Sequence, residues 1–261
     1  MINYTMTLSI ILFIFGACIG SFLNVCIFRI PIKKSIVFPG SFCPGCKKSI
    51  PFYCNIPIVS YIVLQGRCKY CKTHISLRYP LIELLTAVFT VFLFFNFGLT
   101  SSMFFWLGFV CVLIVVSFID FDHQIIPDVI SIPGIFIFAS SAFFIPEMSI
   151  IDVLIGIFAG GGVLYAIAFV YFTIRKKQGM GGGDIKLLAM IGAAMGVKGV
   201  LFTLFTGSLF GTIAGIFSIF LTKTGDRHFK IPFGPYLSAG AVLYIFYGDQ
   251  MIQWYIQRMA Y

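Results

Sequence analysis

Apolar runs of up to about 23 residues recur along this chain, the longest able to cross a hydrocarbon core of roughly 30 Å. A segment in hydrocarbon has no water to bond its peptide groups, so it must satisfy them internally, and these runs are expected to be helices. Composition agrees. Of 261 residues, 59% are hydrophobic and 10% charged, against about a quarter charged in a soluble domain. The fold class this implies is an all-α integral membrane protein of about eight spans: 6–28, 81–97, 104–119, 129–145, 152–174, 185–196, 200–221 and 231–247, with the sixth the shortest. The first resembles a secretory signal, but it lacks a basic start and an Ala-x-Ala cleavage site. Its apolar run also continues through Phe22 and Val25 to Phe28, so it is read as a retained span.

The formal net charge is +9, which raises nucleic acid or anionic lipid as a partner. Its distribution decides between them. Nine of the eighteen Lys and Arg residues lie from Arg29 to Arg78, a stretch with no acidic residue. Basic loops stay on the cytoplasmic side of a membrane; topology explains the charge, and no nucleic-acid partner is expected. With this loop inside, the N-terminus is outside, and alternation places 120–128, 175–184 and 223–230 inside as well. Sixteen of the eighteen basic residues, Lys186 included, then face the cytoplasm, and only Lys198 and Arg258 do not. The chain divides on this reading into a first helix (1–30), a basic loop (31–80) and a membrane core (81–261). Asp120 and Asp184, 64 positions apart, arrive at the same membrane edge.

The basic loop holds Cys43-Pro44-Gly45-Cys46 and, after 21 residues, Cys68-Lys69-Tyr70-Cys71. Two Cys-x2-Cys knuckles at such a spacing form a closed tetrahedral thiolate site for zinc. Lys47, Lys48, Lys69 and Lys72 favour the ionised thiols that such a site needs. The alternatives are a pair of disulfides or free thiols, and a reducing cytoplasm argues against disulfides. A four-thiolate site leaves no open coordination position, so its role is expected to be structural. Cys54 is a spare, while Cys18, Cys26 and Cys111 lie in apolar spans as small hydrophobes.

The chain has nine acidic residues, and an ionisable group at membrane depth is by default a functional candidate. Asp120 closes the third span. Asp184 opens the sixth behind a glycine-rich run, Gly179-Met180-Gly181-Gly182-Gly183, whose freedom of φ and lack of side chains admit a close backbone. Such a run can admit an extended peptide beside Asp184, or can be a flexible loop with Asp184 as a helix cap. Two carboxyls sharing one site cannot both ionise cheaply, so one keeps a proton while the other stays charged. The charged one takes a proton from water and the neutral one polarises a carbonyl, which is aspartic-protease chemistry. With three His and none in a span beside a Ser or Cys, a serine or cysteine triad is not supported.

On these residues the chain resembles the type IV prepilin peptidase family over nearly its whole length. Gly20-Ser21-Phe22-Leu23-Asn24-Val25 with Arg29-Ile30-Pro31 looks like the family's N-terminal signature. The two knuckles match its cysteine domain, which archaeal preflagellin peptidases generally lack. Arg78-Tyr79-Pro80 with Glu83 matches the start of its second span. Asp120 with Ile126-Pro127-Asp128, and Gly181-Gly182-Gly183-Asp184-Ile185-Lys186-Leu187, match its two aspartate motifs. The second of these fits the Gly-x-Gly-Asp pattern of a wider class of intramembrane aspartyl proteases. Ile231-Pro232-Phe233-Gly234-Pro235 resembles a late family segment. The resemblance implies that Asp120 and Asp184 are catalytic, ahead of Asp122 and Asp128, with Gly181, Gly182, Gly183 and Lys186 as a supporting loop. It implies prepilin or pseudopilin substrates of pili, type II secretion or competence systems, cut after the glycine ending a short basic leader. A bacterial cytoplasmic membrane is the implied location. It also implies possible N-methylation with S-adenosylmethionine, for which the chain has no Rossmann-like glycine fingerprint. The rival is a small transporter using Asp120, Asp184 and Lys186 as an ion relay; it leaves the cysteine loop unexplained, and no persuasive inverted repeat supports it. A membrane adaptor with a zinc ribbon leaves the aspartate pair unexplained.

Overall fold

The computed structural model describes residues 2–176, 181–221 and 232–259. The expected loop 223–230, Gly179 and Met180 of the glycine run, and Ile231 lie outside the described residues. Among the described residues the chain is all-helical, with no strand. The helices are α1 (Ile2–Arg29), α2 (Val59–Val63), α3 (Arg78–Phe97), α4 (Ser101–His123), α5 (Asp128–Phe138), α6 (Ser141–Phe144), α7 (Ile150–Arg175), α8 (Gly182–Leu221) and α9 (Gly234–Met259), with a 3-10 turn at Phe52–Asn55.

Five of them are long and apolar enough to cross a membrane: α1, α3, α4, α7 and α8. The other expected spans differ for local reasons. The run 129–145 is not one helix, because α5 ends at Phe138 after 11 residues, about 16 Å of rise, and α6 is a separate turn. The break expected between the sixth and seventh spans is present, since the two helical arms grouped as α8 meet at Gly196, whose φ of 67° is non-helical. Glycine takes that conformation without a Cβ penalty. The last expected span is part of α9, whose second half carries Asp249, Gln250, Gln253, Gln257 and Arg258 and so falls short on apolarity.

The chain forms two compact units, Met1–Val115 and Val116–Tyr261. In the first, α1 packs on α3, and three buried polar residues tie these helices to each other and to the intervening loop. Asn24 donates its amide to the carbonyl of Tyr79 at 3.1 Å. Arg29 donates to the carbonyls of Ser35 and Gly40 at 2.9 and 3.2 Å. Glu83 accepts the backbone N–H of Ile58 at 2.7 Å. All three belong to the segments that resemble the family signature, and their work here is architectural.

In the second unit α8 is the centre, with α5, α7 and α9 packed against it. Its first arm is buried from Leu187 to Met195, as expected of a helix surrounded on several sides. The α7 contact is backbone on backbone. A Cβ added at Gly156 would fall on the carbonyl oxygen of Gly192 and stand 2.7 Å from Gly196 Cα, and one at Gly192 would fall on the carbonyl of Gly156. Small residues four apart, Gly156 and Gly160, permit this approach in a membrane, where packing rather than water exclusion drives association. Ser141, the first residue of α6, adds a buried hydrogen bond to the Ala193 carbonyl at 2.8 Å.

Overpacking a tight contact costs about 1–3 kcal/mol. Gly156→Val should therefore lower the thermal unfolding midpoint in detergent by roughly 4–10 °C. Gly162→Val, on the same helix where a Cβ meets nothing within 4 Å, should leave it nearly unchanged. Equal losses from both would show that α7 and α8 are not held by this contact.

Candidate active site and metal centre

Along α4 the buried positions Leu113, Val116 and Ile119 lead to Asp120, which is 5% exposed. Two residues further on, helix geometry has turned the side chain by about 200°, and Asp122 is exposed. The helix ends with Gln124 at φ 53°, its N–H bonded to the Asp120 carbonyl at 2.8 Å. The chain then runs extended through Pro127 into α5, whose first residue is Asp128.

Asp184 is the third residue of α8 and partly buried. Its N–H donates to the Gly181 carbonyl at 3.2 Å, which closes the last turn of the glycine run. Its carboxyl lies within electrostatic reach of Asp120. The two aspartates singled out in the sequence are thus brought together within one unit. Both near neighbours, Asp122 and Asp128, are exposed. Asp128 is exposed and accepts the Lys186 ammonium at 2.6 Å. This half-exposed pair contributes about 0–1 kcal/mol, yet it ties the start of α5 to the start of α8. Lys186, expected as part of a supporting loop, has this partner across 58 positions.

Gly234, the first residue of α9, completes the cluster. Its N–H donates to Asp120 Oδ2 at 3.0 Å, one of the orphan donors every helix start carries. A Cβ at Gly234 would stand 2.7 Å from that same oxygen and 3.3 Å from Ile126 Cδ1. Ile126 is buried and also stands 2.8 Å from where a Cβ of Gly183 would be. One isoleucine therefore packs against the glycine before Asp184 and the glycine bonded to Asp120. Sequence reading missed the roles of Gly234 and Ile126. The available signal was Gly234-Pro235 at a helix start, a glycine donor followed by a residue with no N–H to give.

In the first unit the four knuckle cysteines converge, with all four sulfurs within 4.8 Å of one another. Cys43 and Cys71 Sγ are 3.7 Å apart, close to the edge of about 3.8 Å for a tetrahedron with metal–sulfur bonds of about 2.3 Å. The donor set fits a tetrahedral thiophilic ion. The knuckles repeat each other at an offset of 25. The N–H of Lys47 bonds the Cys43 carbonyl as that of Lys72 bonds Cys68. Cys43 N–H bonds the Lys48 carbonyl as Cys68 N–H bonds that of Thr73. Lys47 and Lys72 both adopt positive φ, 57° and 59°. The isolated bridges Phe42–Ser49 and Arg67–His74 close the two turns alike.

The thiols are unequal. The Thr73 hydroxyl and backbone N–H pull Cys71 down to about 6, and the N–H groups of Cys71 and Tyr70 lower Cys68. At Cys46 the Lys48 N–H favours the thiolate, but burial and the three neighbouring sulfurs outweigh it and push the thiol up to about 11. A bound cation would hold all four sulfurs as thiolates, Cys46 included. Metal analysis of reduced protein should find one divalent ion per chain, lost in Cys43→Ser and released as pH falls, because protons compete for the sulfurs. Metal-free protein with all four thiols titratable would contradict the site.

Sequence comparison supplies the context. Residues 14–97 match the bacterial peptidase A24 N-terminal domain, and residues 106–216 match the type IV leader peptidase family. A prepilin leader peptidase/N-methyltransferase of Pseudomonas aeruginosa is 34% identical over 93% of this chain and 91% of its own length. One from Legionella pneumophila is 32% identical over 98% and 96%, and one from Neisseria gonorrhoeae 34% over 93% of each. No solved structure matches the chain. The transport reading finds no support among these relatives. The chain belongs to the type IV leader peptidase family.

Proposed function

We propose that this chain is a membrane-embedded aspartic endopeptidase that cuts prepilins or pseudopilins after the glycine ending their basic leader, with Asp120 and Asp184 as the catalytic pair. The observation that carries the reading is a buried Asp120 in electrostatic reach of Asp184 in a chain of this family. The names of the relatives supply the substrate class.

The pair holds one proton between its two carboxyls. The charged carboxylate takes a proton from a water molecule, whose oxygen adds to the scissile carbonyl carbon. The protonated carboxyl gives its proton to the carbonyl oxygen. The first carboxyl then delivers its newly acquired proton to the departing amine while a hydroxyl of the tetrahedral carbon returns its proton to the second carboxylate. The carbonyl re-forms, the carbon–nitrogen bond breaks with no covalent enzyme intermediate, and the pair again holds one proton. Gly234 N–H orients Asp120 for these transfers. Gly181, Gly182 and Gly183 line the approach to Asp184; at Gly182 a Cβ would meet nothing within 4 Å among the described residues, which leaves room for an extended substrate. Lys186 supports this loop through Asp128.

The remaining assignments follow from the same reading. The ion of the four cysteines is zinc, in a structural role. Eight spans cross a bacterial cytoplasmic membrane, with the short and divided helices counted, the N-terminus outside and the basic loop inside. The parts are a first helix (1–30), the zinc loop (31–80) and the peptidase core (81–261). Lipid and the prepilin are its partners, and nucleic acid is not. The relatives' second activity calls for S-adenosylmethionine as methyl donor to the new N-terminal amine. A cavity of about 460 Å³ in the first unit, lined by Ser21, Asn24, Tyr61, Tyr79 and Glu83 among others, falls in the size range of small-ligand sites. When bound, the donor supplies an electrophilic methyl group; this chain's residues bind and orient it.

Asp120→Asn and Asp184→Asn should each lower kcat for leader release from a prepilin peptide by roughly 100- to 10,000-fold. Metal content and thermal unfolding should not change. Asp122→Asn, Asp128→Asn and Asp152→Asn should retain substantial activity. Gly234→Ala, which must displace the Asp120 carboxylate, should lower kcat by up to about 100-fold with KM little changed. The rate should follow a bell against pH, with two apparent pKa values belonging to the pair. Near-normal cleavage by a correctly inserted Asp184→Asn protein would overturn the assignment.

A further inference from the structure

Between Lys48 and Arg67 the basic loop carries no charge over eighteen residues. The 3-10 turn Phe52–Asn55 and α2 lie in this stretch, and several of its apolar side chains are outside any core: Phe52 is 87% exposed, Ile62 67% and Val63 73%. The helix has two faces. Ser60, Tyr61 and Leu64 line the cavity of the first unit. At about 100° per residue, Val59, Ile62 and Val63 fall on the opposite side, and all three are exposed. A five-residue helix has little stability of its own in water, and an exposed apolar face of this kind marks an interaction surface.

Its depth can be read from one hydrogen bond. Ile58, just before α2, donates its N–H to Glu83 at 2.7 Å, and Glu83 lies five residues into the membrane helix α3. That is about 7 Å along the axis from Arg78, whose charge belongs at headgroup level. Ile58 holds φ at 62° to make this bond, a conformation that a β-branched residue adopts only under constraint. Amphipathic helices at a membrane surface bury their apolar face about 5–10 Å below the headgroups, which matches this level. Lys47 and Lys48 precede the uncharged stretch and Arg67, Lys69 and Lys72 follow it, with no acidic residue from Arg29 to Arg78. This is the charge pattern that complements anionic phospholipid.

We propose that the turn and α2 form an interfacial anchor, with Phe52, Val59, Ile62 and Val63 inserted among the acyl chains of an anionic bilayer and the flanking lysines over its headgroups. The occupant of the exposed face is lipid, and the bilayer thereby sets the position of one cavity wall. The proposal rests on α1 and α3 crossing the membrane, independently of the peptidase reading.

The test places photoreactive benzoylphenylalanine at Ile62, Val63 or, as a control, Leu64 in the full chain, reconstituted in vesicles of phosphatidylethanolamine and phosphatidylglycerol. Irradiation should give phospholipid adducts at 62 and 63 and none at 64, read by mass spectrometry. Cross-links from 62 and 63 to a second copy or to another segment of the chain, or the absence of lipid adducts, would overturn the anchor. Because a bulky probe can disturb α2, Phe52→Trp gives a separate readout. Its added emission, against the parent chain, should be quenched by lipids brominated on the acyl chain, and unquenched emission would count against insertion.

Discussion

A buried carboxyl is tolerated only where another group bonds it, and for Asp120 that group is the N–H of Gly234. Much of the second unit's local design follows from this bond. Position 234 must be glycine, because a Cβ would collide with the oxygen that the N–H serves. The start of α9 must reach the end of α4, and Ile126 fills the space beside it. The same Ile126 packs against Gly183, so the positions of Asp120 and Asp184 are coupled through one apolar side chain. Behind this cluster, the backbone contact of α7 and α8 at Gly156 and Gly192 fixes the arm that Asp184 opens.

The first unit uses its polar residues differently. Asn24, Arg29 and Glu83 are buried, yet each is bonded to loop or helix backbone, so they satisfy peptide groups where α1 and α3 meet the loop. The loop they hold contains one turn built twice. Equivalent hydrogen bonds, bridges and left-handed lysines at an offset of 25 residues present two pairs of sulfurs to one centre. A repeat of this kind needs little core of its own when a bound metal supplies the folding free energy that a small apolar core does not.

What could be read in the sequence divides along physical lines. Helical character and membrane residence follow from run length and composition. The four cysteines could be grouped because Cys-x2-Cys spacing is itself geometric. The break at Gly196 was legible as the end of the sixth span, but a hydropathy run does not reveal that α5 stops after 11 residues. Among the carboxylates, Asp120 and Asp184 could be picked out by membrane depth and motif. The Lys186–Asp128 pair and the Gly234 hydrogen bond link positions 58 and 114 apart, and nothing local in the chain records such contacts. The exposure of Asp122 beside a buried Asp120 is local, since a two-residue step along a helix reverses direction.

The central functional claim is that Asp120 and Asp184 act as one proton-sharing unit. Its most direct test is the residual kcat of the Asp120→Asn, Asp184→Asn double variant beside the two single variants, on one prepilin peptide in one lipid. Groups that act as a unit are strongly non-additive, so the double variant is expected to be little slower than the slower single variant. A double variant whose loss equals the product of the two single losses would mean that the carboxyls act independently, and would contradict the shared site.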